Sequence, residues 1–331
     1  MKLNPIFNSN MVFAHGKPVR IWGEGAGEIR LTFAGQSKTI AADGRWEVEF
    51  PAMDCGGPYE LTALQGDNLI LLTNIWVGEV YLFAGQSNMQ FKLGESAAAP
   101  ETWIDEPRAR MFATNRLEKN EFFCAESGWR PCVKEEAGHW SAIAYHVCTA
   151  IAAEKNIAVG AVFCYQGASV IESWMPAGAV REAGILDKPA AVLHEKTAYH
   201  KWNEEGVLYA NCFTQVIPFA FTGVFWYQGE IDAVPEECFL YDRELALLID
   251  IWRYDLRDDA LPFVVFAIAD YDTRPDERWK AVQECQMRME TICENVKSVK
   301  TADVCESNCI HPPTKALLSA RAVKAMAELT K

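Results

Sequence analysis

Val80-Tyr81-Leu82-Phe83-Ala84-Gly85-Gln86-Ser87-Asn88-Met89 is the stretch that decides the fold. The apolar run reads as a buried strand, and the small-residue turn after it would present Ser87 at the carboxyl edge of a sheet, where α/β folds place their sites. Serine alone is a weak nucleophile. It needs a base, a group that orients the base, and donors for a developing oxyanion.

Working outward from this strand, the two flanks differ. From about residue 76 onward, apolar runs at Ile157 to Phe163, Gly223 to Trp226 and Pro262 to Ala267 alternate with helix-compatible stretches at Ser141 to Lys155, Asp242 to Trp252 and Glu277 to Glu290. Pro313 to Leu329 closes the chain as an amphipathic helix with Pro near its first turn. That alternation predicts a parallel sheet covered on both faces. Residues 1 to about 75 instead carry short β-rich runs, Val19-Arg20-Ile21-Trp22, Glu28 to Phe33 and Arg45 to Phe50, separated by Gly, Asp and Pro. With Asp43-Gly44 as a hairpin signal, they predict a small β-sandwich. The expected division is therefore a β-sandwich domain over 1–75 and a catalytic domain over 76–331. The polar segment from Trp174 to Gly206 is expected to supply loops over the site.

Bulk properties remove several function classes. With 331 residues and 50% hydrophobic composition the chain can bury a substantial core. A formal net charge of −14, with no block of Lys or Arg, argues against nucleic acid as a partner. No stretch reaches membrane-spanning length and no apolar leader follows Met1 to Pro5, so a cytoplasmic location without membrane attachment is expected. The 11 cysteines, many inside apolar patterns as at Cys148, Cys164, Cys212 and Cys285, suit reduced buried thiols better than a disulfide framework. Cys305, Cys309 and His311 form a minor zinc alternative whose spacing lacks the paired knuckles of structural sites.

Four separated blocks resemble those of the SGNH hydrolases, in the sialate O-acetylesterase and acetylxylan esterase branch. Gly85 to Met89 is similar to the nucleophile block of that group and Gln166-Gly167-Ala168-Ser169-Val170-Ile171-Glu172-Ser173-Trp174 to its glycine block. Trp226-Tyr227-Gln228-Gly229-Glu230 resembles the third block, and Ile310-His311-Pro312 with Lys315 the histidine block. The early segments Val19 to Gly23, Asp43 to Trp46 and Gly56 to Leu61 are similar to the β-sandwich that precedes many sialate O-acetylesterases. The resemblance implies a flavodoxin-like three-layer α/β/α hydrolase domain behind a small N-terminal β-sandwich, acting without metal or organic cofactor.

It also implies residue roles. Ser87 is the expected nucleophile and His311 the base, since an imidazole can take the hydroxyl proton and return it to the departing sugar oxygen near neutral pH. His15, His139, His146, His194 and His200 sit in no matching block and are read as having no catalytic duty. Where many relatives carry aspartate three positions before the histidine this chain has Asn308, so Glu230 is the expected acid behind the imidazole, with Asp303 and Glu306 as substitutes. The N–H groups of Ser87 and Gly167 are the expected oxyanion donors. Family members often carry asparagine at the position of Asp232; either Gln228 gives the third donor or Asp232 serves another purpose, and Gln86 and Asn88 complete the oxyanion and substrate-binding set.

Trp174, Trp226, Tyr227 and Trp279 are candidates for stacking on a sugar ring, with core packing as the default for each, and Arg253 and Arg274 are candidate carboxylate binders. The expected function is removal of O-acetyl groups from carbohydrates through an acetyl-serine intermediate. An acetylated sialoside and an acetylated xylan or other plant glycan are the two substrate classes: the negative charge opposes the first, the N-terminal resemblance favours it. A noncatalytic carbohydrate-binding protein on the same scaffold, or a transferase passing acetyl to another sugar, stands as the alternative from a different class.

Overall fold

Glycine placement and period-two alternation organise the first part of the chain. The computed structural model describes residues 1–117, 122–187 and 200–330. Its early strands are β1 (Lys2–Leu3), β2 (Val12–Ala14), β3 (Val19–Phe33), β4 (Gln36–Phe50) and β5 (Gly56–Gln65), followed by the long β6 (Asn68–Gly85). In β4, Trp46, Val48 and Phe50 turn inward while Glu49 faces solvent, the signature of a strand with one buried face.

The hairpin expectation is corrected here. Asp43 and Gly44 lie inside β4, opposite Ala26 and Gly25, and the β3–β4 ladder runs unbroken from Val19 against Phe50 to Phe33 against Gln36. The turn is Ala34-Gly35, both with positive φ (48° and 77°), the backbone that matches strand twist in a two-residue hairpin. The segments read as separate short strands are therefore halves of longer ones.

β6 crosses from one regime to the other. Its first half pairs antiparallel with β5, with Leu69 and Leu71 exposed, whereas every residue from Val77 to Gly85 is buried. That second half lies at the centre of a parallel array built from β7 (Glu106–Ala113), β9 (Val159–Tyr165), β6, β10 (Gly223–Tyr227), β11 (Phe263–Phe266) and β12 (Val296–Val299), in that spatial order. The short β8 (Arg130–Cys132) pairs antiparallel with β7. Altogether the described residues form a mixed α/β protein around a 12-stranded sheet. Beside β6, Phe83 stacks on Phe225 of β10 at 5.0 Å between ring centroids.

The helices fall where apolar periodicity placed them. Ser141 caps Ala142–Lys155 by accepting from the Ala144 N–H, and Asp276 caps Glu277–Ile292 through the N–H groups of Arg278 and Trp279. Tyr241–Leu256 extends beyond the predicted segment at both ends, and the last helix begins at Ala316, leaving Pro312 and Pro313 in the loop before it. All eleven cysteines are free thiols, with Cys148, Cys164, Cys212 and Cys285 buried. Among the described residues no helix is long and apolar enough to cross a membrane.

Candidate active site

Register brings three loops to one place. Gly85 at the end of β6 pairs with Tyr165 of β9 on one side and Tyr227 of β10 on the other, so the three strands finish level. The Gln86 N–H donates to the Tyr227 carbonyl (2.9 Å) and the Gln166 N–H to the Gly85 carbonyl (3.0 Å), tying the departing loops together. A side chain at Gly85 is excluded twice: its φ is +130°, and a Cβ would collide with the Tyr227 carbonyl. The chain runs from β6 to β7 and β9 on one side and to β10 on the other. This is the reversal of strand order at which open α/β sheets form a crevice. Ser87, Gly167 and Glu230 emerge at that crevice.

His311 arrives from the loop between β12 and the last helix, with Nε2 2.8 Å from Ser87 Oγ. Asn88, buried beside the serine, anchors that loop. Its Nδ2 donates to the Ile310 carbonyl (2.9 Å) and to Glu230 Oε1 (2.6 Å), and its Oδ1 accepts from Lys315 Nζ (2.7 Å). The Lys315 ammonium also faces the rings of Phe91 and Tyr227, at 5.1 and 5.5 Å from their centroids. Burial pushes Lys315 down to about 8 and Glu230 up to about 7. His311 is held below the ordinary imidazole value by burial and by the neighbouring Lys315, with Glu95 acting in the opposite direction.

Ser87, Gly167, Glu230 and His311 line an open cavity of about 530 Å³ together with Gln90, Phe91, Glu95, Trp202 and Arg274. Gln90 follows the nucleophile block directly, and its Oε1 accepts from the Gly167 N–H (3.0 Å). His200 stacks on Trp202 at 4.2 Å, and Trp202 Nε1 donates to the Ala168 carbonyl. Arg274, also at the cavity wall, donates to the Ala233 carbonyl (2.8 Å) and pairs with Asp276 (3.6 Å).

Several expected residues are placed elsewhere. Glu230 lines the cavity with His311, but among the described residues its hydrogen bond runs to Asn88 and none reaches the imidazole; Oε2 has no partner. Gln228 does not line the cavity. Its amide hydrogens face the Ser169 carbonyl (2.7 Å), Gln86 Oε1 (3.2 Å) and Asp232 Oδ2, and its Oε1 accepts from the Tyr241 hydroxyl (2.7 Å). Asp232 also accepts from the Ile171 N–H, so it braces the glycine block from behind. Gln86 lines the cavity but is almost fully buried, with its carbonyl oxygen taken by Gln228 and the Gly229 N–H.

Trp174, Trp226, Tyr227 and Trp279 are buried in the core, which removes them as stacking surfaces. Trp202 lines the cavity instead, beside His200 and with Phe91, from a segment whose composition gave no periodicity to read. Arg253 spends its guanidinium on the Leu261 and Glu294 carbonyls, whereas Arg274 lines the pocket. Asp303 is paired with Arg321, Glu306 with Thr314, and Asn308 is exposed. The Cys305, Cys309 and His311 set does not converge: the two thiols donate to the Thr314 and His311 carbonyls while the imidazole faces Ser87. His200, read as having no role, lines the cavity; His194 and the rest of 188–199 lie outside the described residues.

Residues 77–328 match the family model for carbohydrate esterases described as sialic acid-specific acetylesterase. No curated protein sequence matches the chain. Among solved structures, the chain is similar to XAC1771, a carbohydrate acetylesterase from Xanthomonas citri, with 24% identity and a TM-score of 0.87 over 99% of this chain and 75% of that one. NanS superposes with 14% identity and a TM-score of 0.51, over 76% of this chain and 96% of its own. A protein from Arabidopsis thaliana does so with 17% identity and a TM-score of 0.50, over 76% and 98%. At these identities the likeness is one of fold.

Proposed function

This chain belongs to the carbohydrate esterases of the sialic acid-specific acetylesterase family, and from that premise we propose that it removes O-acetyl groups from a sugar with Ser87 as nucleophile and His311 as base. The observation that carries this reading is the 2.8 Å contact between His311 Nε2 and Ser87 Oγ at an open cavity. His311 takes the hydroxyl proton as Ser87 Oγ attacks the acetyl carbonyl carbon. The oxyanion is held by the N–H groups of Ser87 and Gly167, the second released when the substrate carbonyl displaces Gln90 Oε1. Collapse expels the sugar oxygen, which takes the proton from His311 and leaves acetyl-Ser87. Water, deprotonated by the same imidazole, then attacks the acetyl group, and acetate departs as Ser87 regains its proton. Lys315 favours the neutral imidazole that the first step requires. Glu230 acts as a positioning residue: through Asn88 it holds the Ile310 carbonyl, and with it the backbone that presents His311.

An O-acetylated sialoside is the favoured substrate, because Arg274, at 3.6 Å from Asp276 and with donors to spare, lines the cavity within an otherwise acidic chain. Trp202 and His200 give it an aromatic face. An acetylated xylo-oligosaccharide would use only the second feature. We further read 1–75 as a small β-sandwich and 76–331 as a flavodoxin-like three-layer domain, on the change from antiparallel to parallel pairing along β6.

The test is acetate release from acetylated sialosides and xylo-oligosaccharides by the parent, Ser87→Ala and Arg274→Gln. Ser87→Ala is expected to lose on the order of 10⁴-fold or more in turnover. Arg274→Gln should lose about 10- to 100-fold in kcat/KM on sialosides alone. Sugar binding by both parent and Ser87→Ala, with acetate from neither, would replace the enzyme reading by that of a binding protein.

A further inference from the structure

Behind the glycine block, away from the chemistry just described, buried acidic side chains from separate segments come together. Glu172 sits in the short helical turn Ile171–Trp174, Asp232 in the loop after β10, and Glu237 at the start of the turn Glu237–Phe239. The three are 3%, 0% and 0% exposed. One carboxylate oxygen from each lies within 4.8 Å of the others. Two ligands on opposite sides of a calcium ion, each at about 2.3–2.6 Å, stand at most about 5 Å apart, so these oxygens can share one ion.

A second observation points the same way. Glu244, on the helix Tyr241–Leu256 and 0% exposed, has neither carboxylate oxygen hydrogen-bonded among the described residues, and neither has Glu172. The helix that carries Glu244 packs against both turns that hold Glu172 and Glu237. A buried carboxylate without a hydrogen-bond partner is costly, and a cation that takes its lone pairs removes that cost. Asp232 differs in accepting from the Ile171 N–H and from Gln228, contacts that leave lone pairs free.

We propose that Glu172, Asp232 and Glu237 bind one calcium ion, with Glu244 as the adjacent charge that completes the site. The donors are all carboxylate oxygen, without histidine or cysteine, which selects a hard cation over zinc or copper. Magnesium retains several waters and a strict octahedron, which suits a dry cluster of carboxylates poorly. The ion would clamp the glycine block to the loop after β10, the two segments that carry Gly167 and Glu230. Its role is structural and independent of the esterase reading.

The experiment uses the full chain, treated with chelator and dialysed. Calcium titration followed by calorimetry, elemental analysis and thermal unfolding should give one ion per chain and a higher Tm with calcium than with chelator. Glu244→Gln should weaken calcium binding about 10- to 100-fold, as loss of an outer partner does, and Glu237→Gln should abolish the calcium-dependent rise in Tm. Should Glu237→Gln fail to fold, the calorimetric stoichiometry of the parent decides alone. No binding heat together with a Tm indifferent to calcium, or stoichiometric binding of another divalent ion with no response to calcium, would overturn the assignment.

Discussion

Glu230 and Asp232 stand two residues apart on one loop, are both buried, and have opposite surroundings. Glu230 shares Asn88 with the Lys315 ammonium, so its charge is met by an amide dipole and, beyond it, a cation. Asp232 faces Glu172 and Glu237, with Glu244 behind. The two arrays brace different loops, the first the one carrying His311 and the second the glycine block. The contrast teaches that a buried acid gains meaning from its neighbours more than from its motif. It also locates where the site is fragile.

The largest expected break is on the Glu230 side. Asn88→Leu strips a hydrogen bond from a buried carboxylate, one from a buried ammonium and one from the Ile310 carbonyl. Removing a partner from a buried charged array costs about 3–5 kcal/mol, and urea unfolding should show a loss of that size. Activity should fall as well, because the backbone next to His311 loses its anchor. A change under about 0.5 kcal/mol, typical of a surface substitution, would mean that Asn88 does not hold the array together.

How far this contrast was legible in the sequence depends on the kind of signal. Continuous apolar runs announced β6, β9, β10 and β11, and the small-residue turn after β6 announced Ser87, because burial on both faces leaves a one-dimensional trace. The pairing of His311 with Ser87 came from block order, which fixes loops to strand ends. Side-chain direction left no such trace. Gln228 and Glu230 stand two residues apart in one motif, yet the first points into the core and the second to the cavity. Trp202 sits in the three-residue helical turn Lys201–Asn203 and Arg274 in a loop, neither with a period to read, and Asp43-Gly44 resembled a turn while lying mid-strand, because a two-residue cue is weaker than a fifteen-residue ladder. Glu172 was visible only as a letter in the glycine block; its acidic neighbours come from a turn and a helix that folding brings alongside.

Next in size is the Gly167 edge, where the glycine block meets the nucleophile. A Cβ there would lie 3.1 Å from Gln90 Oε1 and 3.7 Å from the Ser87 Cβ, in the space a substrate carbonyl must enter. Gly167→Ala should therefore lower kcat on the order of 10²–10³-fold, the usual loss for one oxyanion donor, while thermal stability stays close to that of the parent. A fall in stability with kcat intact would assign Gly167 to the turn and not to the oxyanion.

The smallest effects are the most diagnostic, because they have opposite signs. Catalysis requires neutral His311, so kcat/KM falls as pH drops through a pKa that burial and Lys315 hold below the ordinary value. Lys315→Met removes the positive neighbour, raises that pKa, and should move the acid limb to higher pH. Glu95→Gln removes the carboxylate that acts the other way and should move the limb to lower pH. Glu95 is exposed, so its shift should be the lesser of the two and should fade as salt approaches about 1 M, where the screening length is about 3 Å. Lys315 is buried and its effect should survive the salt. Limbs that shift together, or not at all, would show that the titrating group governing kcat/KM is not His311.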